Sequence, residues 1–521
     1  MSAPAPVRLT EDLAIGRENP EREYGSRILN RWLAKRRYEQ ARSRPVRRRR
    51  NYAAAAAGRI NSGWTMVPTP PNWHIWQGLQ ALRARSRERA RNDDHARQFL
   101  RLLRTNVIGP HGIRMQSRVT DPDGTPDTLA RNAIEQAWTD WSRFCDVSGR
   151  LDWPEMQRLI IATVAKDGEC LVRRMTSGPF GFQLRLIDPE LLDIRLNATL
   201  PGGRRIRMGV ELDADERPVA YHLREAPSDL FQASYYTGKH IRVPADEILH
   251  LYIQDDIDQV RGVPWMTTAL PRMKNLHGYE EAAVVAARVG ASKMGFFKTA
   301  EGEGAQPLAD DEDDTTGELI QEAEPGTFDV LPEGYDFTPF NPDYPHEQFG
   351  AFVKSTLRGI AAGLGVSYHS LASDLEGVNF SSIRQGELSD RDVWITLQQW
   401  FIGSFVRPVF ETWLQQQLAL GTIRVPGKGG VMKALPADRY DKFRRAAFQG
   451  RRWAWVDPQK DMTANESAVA LGIKSRSEII RDMGRDPDDV WDEIKRENER
   501  LAALGITPAA PAQGQGGQAN A

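Results

Sequence analysis

Cysteine is nearly absent from this chain. Cys145 and Cys170 are the only two in 521 residues. They supply neither a disulfide framework nor zinc-ligand spacing, which makes a reducing compartment the default expectation. No run approaches the roughly 18–20 apolar residues that a membrane span needs. The first twenty residues carry Asp and Glu without an apolar stretch, so no signal peptide is expected there. The usual signatures of catalysis are missing as well. Gly427–Gly430 reads GKGG and lacks the GxxxxGK[ST] spacing of a phosphate loop, and no HExxH, GxSxG or CxxC occurs. The nine histidines are scattered singly, which suits surface or hydrogen-bonded core positions better than metal ligands. Asp255, Asp256 and Asp258 imitate a nuclease carboxylate cluster, but they stand before a turn without a partner Lys or Glu at fixed spacing, and turn formation accounts for them. No enzyme activity, metal or cofactor is expected.

The net charge of −1 conceals a strong asymmetry. Residues 1–120 hold 25 Lys and Arg against 9 Asp and Glu, a balance of +16; the remaining 44 against 61 leave −17. A basic head on an acidic body suggests that one end meets a polyanion or an acidic surface. The run from Lys35 to Arg50 concentrates that charge in Lys35, Arg36, Arg37, Arg47, Arg48, Arg49 and Arg50, with Pro45 interrupting any helix. Such an arm either neutralises phosphates, with steep salt dependence, or docks on an acidic neighbour. Trp64, Trp73 and Trp76 follow in a Pro-rich segment, where anchoring to a core is the expected use.

Periodicity organises the rest. Residues 81–107 read as one long helix whose many arginines form a solvated or inter-subunit face, and 128–144 and 152–167 as two amphipathic helices. From Glu169 the period shifts toward two, through CLVRRM, FQLRLIDP, RMGVELD, VAYHLRE and HIRVPADEILHLYI, giving a mixed α+β block over about 81–262. A helix at 270–291 places Lys274, Glu281 and Arg288 on one stripe. It pairs logically with a helix at about 346–364, in which Phe349, Phe352, Val353, Leu357, Ile360 and Leu364 share a face and Lys354 and Arg358 another. The roughly 50 residues between these helices carry strand-like FDVLP and YDFTPF and the acidic run DDEDD at 310–314, here read as a solvated tip. A further helix runs from near Ser382 past Trp400, then 405–420 and 437–448 read as helical. The block after Trp453 reads as two or three charged helices with a cap at Ser475–Ser477, and the tail from Thr507 is low-complexity.

The stretch GIAAGLGVSYHSLASDLEGVNFSSIRQGELSDRD at 359–392 resembles the "AAGLGxxYxxLxxDLxGxNYSSxRxGxLexxR" run of the lambda-type family of bacteriophage portal proteins. Further runs agree in the same order: LRARSRERARND, DGECLVRR, IRVPADEILHLYIQDDIDQVRGVPW, EPGTFDVLPEGYDFTPFNP and WAWVDPQKDMTANESAVALGIKSRSEII. The resemblance covers about residues 35–505. Phe380 departs from it, standing where the family pattern has Tyr.

The resemblance implies an α+β portal fold assembled as a ring. Residues 1–60 would be a basic arm and 61–264 an α/β wing. A stem helix at 265–291 would be followed by a small α/β clip at 292–344, a second stem helix at 345–369 and a tunnel loop at 370–384. Residues 385–450 would hold a long helix and a return to the wing, 451–506 a helical crown and 507–521 a disordered tail. The implied role is a conduit: a homo-oligomeric ring of about a dozen subunits at one capsid vertex, passing double-stranded DNA during packaging and ejection. The large terminase subunit, as the ATPase, the major capsid protein and the head-tail connector proteins are the implied partners, and the virion, assembled in the host cytoplasm, the implied location. Arg272, Lys274, Arg288, Lys354 and Arg358 are the candidate channel-facing residues of the stem. Asp374, Asn379, Phe380, Ser381 and Arg384 are the candidates in the tunnel loop, whose contacts would be to phosphate and shape. A rival reading from the residues alone is a basic-arm DNA-binding accessory protein of recombination or replication.

Overall fold

The computed structural model describes residues 31–36, 67–225, 239–291, 295–299, 335–339, 348–376, 380–427, 430–453 and 458–506. The chain divides into two compact units, residues 1–69 and 70–521. In the first, α1 (residues 31–36) is exposed, and the Arg36 guanidinium lies 4.8 Å above the ring of Trp32.

The second unit is mixed α+β, and its centre is set by a helix followed directly by a strand. Helix α5 (Trp153–Asp167) opens with a capping box between Asp152 and Glu155 and a proline in its first turn, and stops at Gly168 with φ of 89°. Strand β2 (Glu169–Met175) starts at the next residue. Gly168 has a second reason to be glycine: a Cβ there would meet the carbonyl carbon of Val263 at 2.6 Å, and the facing Gly262 is just as closely confronted by Gly168. The antiparallel sheet β3-β2-β9, with β3 at Gln183–Ile187 and β9 at Ile248–Tyr252, is built on this strand.

Because successive strand residues face opposite ways, β2 serves two cores at once. Cys170 and Val172 join a large cluster centred on Trp138, Trp141, Trp153, Phe405, Phe410 and Trp413. These rings meet edge-on or stacked, with centroids 5.0–5.5 Å apart for Trp138–Trp413, Trp153–Phe405 and Trp138–Phe410. Leu171, on the other face, joins Leu79, Met208, Val210, Tyr221 and Val243 in a second cluster with the five-stranded antiparallel sheet of β4 (Ala198–Thr199), β5 (Arg205–Arg207), β6 (Val210–Leu212), β7 (Pro218–Arg224) and β8 (His240–Pro244), in that order.

Glu169 lies on the Leu171 side and is fully buried, as is Arg261. Arg261 binds both carboxylate oxygens of Glu169, through Nε at 2.8 and 3.0 Å and through Nη2. Arg83 donates to the same carboxylate at 2.9 Å, His250 Nε2 lies 2.9 Å from it, and the Gly262 N–H donates at 3.0 Å. Burial alone would favour the neutral acid, but the Arg261 charge and His250 outweigh it and hold the Glu169 carboxyl well below the usual range. The remaining Arg261 donors go to the carbonyls of Met208 at 2.7 Å and Leu192 at 3.2 Å.

Several expectations are corrected by this packing. The long helix is two: α2 (Pro71–Asn92) and α3 (Asp94–Leu103), followed by a π-helical turn at Arg104–Ile108. Asp93 is extended, and its carboxylate accepts the Ala96 N–H at 2.9 Å, so it starts a new helix. The arginines of α2 are not all solvated. Arg83 is buried, and Arg87, one turn on, holds Asp167 at 2.8 Å and Asp188 at 2.6 Å. Trp73 and Trp76 are about half exposed, ring against ring at 5.2 Å, because Ile75 and Leu79 take the inward face of α2. Residues 437–448 form only a short helix, α11 (Tyr440–Phe443), and then strand β14 (Ala446–Gln449). That strand pairs antiparallel with β1 (Arg114–Ser117), whose edge it satisfies. The charged C-terminal block is three helices, α12 (Pro458–Ala470), α13 (Arg476–Asp482) and α14 (Pro487–Ala503), with Ser475 capping the second. FDVLP, DDEDD and the tail from Thr507 lie outside the described residues.

Neutralising Glu169 by Glu169→Gln leaves Arg261 buried without its counter-charge. The expected loss is about 3–5 kcal/mol, read from the urea midpoint. Asp488→Asn, at the surface pair with Arg131, is expected to change stability by less than about 1 kcal/mol. Since the folded-state pKa of Glu169 is depressed, its stabilisation is present above the ordinary glutamate pKa. It is lost as pH falls below that value.

Candidate nucleic-acid interface

The two stem helices expected from the sequence are α6 (Leu270–Ala291) and α7 (Phe349–Leu364). Thr268 donates to the Gly363 carbonyl at 2.9 Å, Arg272 Nη1 to that of Gly359 at 2.8 Å, and Tyr279 stacks on Phe349 at 5.4 Å. Partners rise along one helix as they fall along the other, so the pair is antiparallel. Gly359 makes room for the arginine: a Cβ would stand 2.5 Å from Arg272 Nη1. Between them in the chain, β10 (Gly295–Thr299) and β11 (Tyr335–Pro339) pair antiparallel.

At its other end α7 stops on Gly365, with φ of 68°. Ser367 caps the short α8 (Tyr368–Ala372), and Ser373, at φ of 54°, turns the chain away. Asp374 anchors the segment after this turn. Its carboxylate accepts the Tyr368 hydroxyl at 2.6 Å, the Lys354 ammonium at 3.0 Å and the Glu376 N–H at 2.9 Å. The Tyr368 hydroxyl, the Glu376 N–H and Lys354, in that order, hold the Asp374 carboxyl far below its usual range. Burial and the hydrogen bond to Asp374 push the Tyr368 phenol up to about 12. Arg358 completes the group, 5.6 Å over the Tyr368 ring. A second carboxylate, Asp390 from α9 (Phe380–Phe401), accepts from the Ser367 N–H at 3.1 Å and the Ser370 hydroxyl at 2.9 Å. The start of the loop is therefore tied to both flanking helices.

The structure brings Lys354, Arg358 and Asp374 together. Lys354 is engaged by Asp374, whereas Arg358 remains exposed. Arg272 is committed to the helix pair through Gly359. Lys274 and Arg288 are exposed on α6. The irregular part of the expected 370–384 loop is shorter: α8 runs through Ala372 and α9 begins at Phe380, so Phe380, Ser381 and Arg384 belong to the first turns of a helix. Backbone alone is described for those three, and Asn379 lies outside the described residues. In the arm, Lys35 and Arg36 are exposed in α1, and Arg37 and Arg47–Arg50 lie outside the described residues. Sequence reasoning missed Tyr368, Ser370 and Asp390 as the loop's supports. A Ser-x-x-Ser pair before the helix stop was the available signal.

Among the described residues no helix is long and apolar enough to cross a membrane, and no group of three metal-ligating side chains converges.

These features fall within a known family. The phage portal proteins of the lambda family match residues 57–398, and the chain belongs to that family. It is 36% identical over 466 residues to a probable portal protein of Halomonas phage phiHAP-1, covering 88% of each chain. Portal protein B of Escherichia phage lambda is 20% identical, over 82% of this chain and 85% of that one. Among solved structures, a chain in the neck of an empty gene transfer agent particle is similar at a TM-score of 0.48 and 15% identity, over 79% of this chain and 95% of that one. The role that goes with the family is that of a capsid portal, a structural component of the virion. The accessory-factor reading has no support from these relatives.

Asp374→Asn removes the charge that Lys354 meets and weakens the acceptor for Tyr368 and Glu376. Amide exchange at Glu376 is expected to become several-fold faster, with α10 (Arg407–Leu420) unchanged. Because the folded-state pKa of Asp374 is depressed, wild-type protection at Glu376 should persist through the ordinary carboxylate range and fade only at lower pH.

Proposed function

We propose that about twelve copies of this chain close into a ring at one capsid vertex, with α6 and α7 forming the wall of a channel for double-stranded DNA. Family membership together with the antiparallel stem pair is the observation that carries this reading. The stem also leaves Val284, Val285 and Phe352 each about half exposed. That apolar surface is what a neighbouring subunit would cover in a heterologous ring contact. Each lining charge then repeats around the ring, so one arginine per subunit becomes a belt of about a dozen charges. Contacts of this kind bind phosphate and shape without reading sequence, as a conduit requires.

In this arrangement the Asp374 anchor sets where the loop enters the channel, and Lys354 serves the anchor before it serves DNA. Arg358, Lys274 and Arg288 are the candidate cations of the wall. The module on β10 and β11 faces the packaging ATPase, the large terminase subunit, and later the head-tail connector proteins, while the wing meets the major capsid protein. Energy for translocation comes from the ATPase partner.

Negative-stain imaging with solution mass tests the ring directly. Discrete rings with a central hole and about a dozen subunits are expected. A uniform monomer or dimer that binds duplex DNA through residues 35–50, with steep salt dependence, would instead restore the accessory-factor reading. The double variant Lys274→Gln with Arg358→Gln should leave ring formation intact and lower the yield of DNA-filled heads. Unchanged filling would remove those two residues from the channel wall.

A further inference from the structure

A cleft of about 630 Å³ opens where the π-helical turn after α3 meets the start of α5 and the chain beyond β14. Arg104, His111, Arg114, Arg158, Arg451 and Arg452 line it, and no Asp or Glu does. None of these residues belongs to the stem or to the loop at Asp374. Three of them, Arg158, Arg451 and Arg452, come from the part of the chain after residue 120, which carries a surplus of acid. Elsewhere in this unit arginines meet carboxylates, as Arg83, Arg87 and Arg261 do. Here Arg158 donates to the carbonyls of Gly109 and Pro110 at 3.2 and 3.1 Å, and Arg451 to Asn106 Oδ1 at 3.1 Å. Those are neutral acceptors, which position a guanidinium without neutralising it. Burial with the nearby Arg391 charge lowers the pKa of Arg451. Several like charges thus line one cleft whose lining holds no carboxylate, and their combined potential attracts an anion.

The row continues outside the cleft. Arg97, Arg101 and Arg104 are exposed at four- and three-residue steps along α3 and its π turn, so they share one helix face and span roughly 10 Å. No carboxylate among the described residues lies within ion-pair distance of them. A single carboxylate or free phosphate would use the cleft and leave this row unsatisfied, whereas a repeating anion would use both. The planar fork of arginine suits phosphate oxygens. The apolar part of the lining is Ile108, Pro110 and Met483, and it offers no aromatic anchor of the kind that dominates protein-protein contacts.

We infer that this arginine cleft and the row leading from it bind the phosphodiester backbone of nucleic acid, at a site on the body of the subunit separate from the channel. All of its lining residues come from one chain.

The test is phenylglyoxal modification of the full-length protein, read by mass spectrometry, with a 30-base-pair duplex or with polyglutamate at matched charge. Duplex is expected to protect Arg104, Arg114 and Arg452 several-fold, and polyglutamate is not. In parallel, the triple variant Arg104→Gln, Arg114→Gln, Arg452→Gln is compared with Arg85→Gln, Arg185→Gln, Arg439→Gln, which removes equal charge from exposed positions outside the cleft. Only the cleft variant should weaken duplex binding and flatten the log K against log salt slope, by about 0.9 for each phosphate no longer neutralised. The arm at 35–50 is present in both variants and cancels from the comparison. Equal protection by polyglutamate would assign the cleft to an acidic protein segment and overturn the inference. Absence of protection, or identical salt slopes for the two variants, would overturn it too.

Discussion

The body of this subunit depends on one buried carboxylate. Glu169 opens β2, the strand whose two faces serve two separate cores, and it gathers Arg83 from α2, Arg261 from the segment before α6 and His250 from β9. A buried charge of this kind is tolerable only when every neighbour is in place, since each partner removed leaves an ion without compensation. The cluster therefore acts as a registration point. It sets how α2 lies across the sheet and how the Arg261–Gly262 segment passes Gly168, where no side chain fits.

That registration reaches the α6–α7 pair. Residues 261–263 lead within a few positions to Thr268 and Arg272, which clasp the backbone of α7 at Gly363 and Gly359. The pair is thus held at one end by the same chain segment that completes the charge cluster. At this end of α7, Asp374 and Asp390 tie the following loop to both flanking helices. The loop is thereby linked through Asp374 to α7 and through Asp390 to α9, which continues by the π turn at Ile402–Val406 into the aromatic core.

Much of the organisation was readable beforehand because it is local. Helix α6 was legible at 270–291 with Lys274, Glu281 and Arg288 on one stripe, and the strands after Glu169 were legible from alternation between turn residues. The cap at Ser475 follows from a Ser three residues before Glu478. The break at Asp93 was equally local and was overridden by the arginine-rich period on either side of it. The inward turn of Arg83 and Arg87 had no local signal. Both sit in a stretch that looks like any solvated helix face, and only carboxylates 80 to 107 residues away make burial favourable. The same holds for Ala446–Gln449, which a helical pattern suggested and the open edge at Arg114–Ser117 recruited as a strand.

Sequence by itself determined the class of protein and the order of many of its elements. Motif spacing and periodicity are properties of neighbours along the chain, and they survive without knowledge of the fold. Only the tertiary structure decided which charges are spent internally and which remain for a partner. Arg272 clamps a helix, Lys354 holds a loop and Arg83 is buried on a carboxylate, while Arg104 and its neighbours face a cleft without acid. Charge pairing acts over a few ångströms of space, and the chain brings those ångströms together from residues hundreds of positions apart.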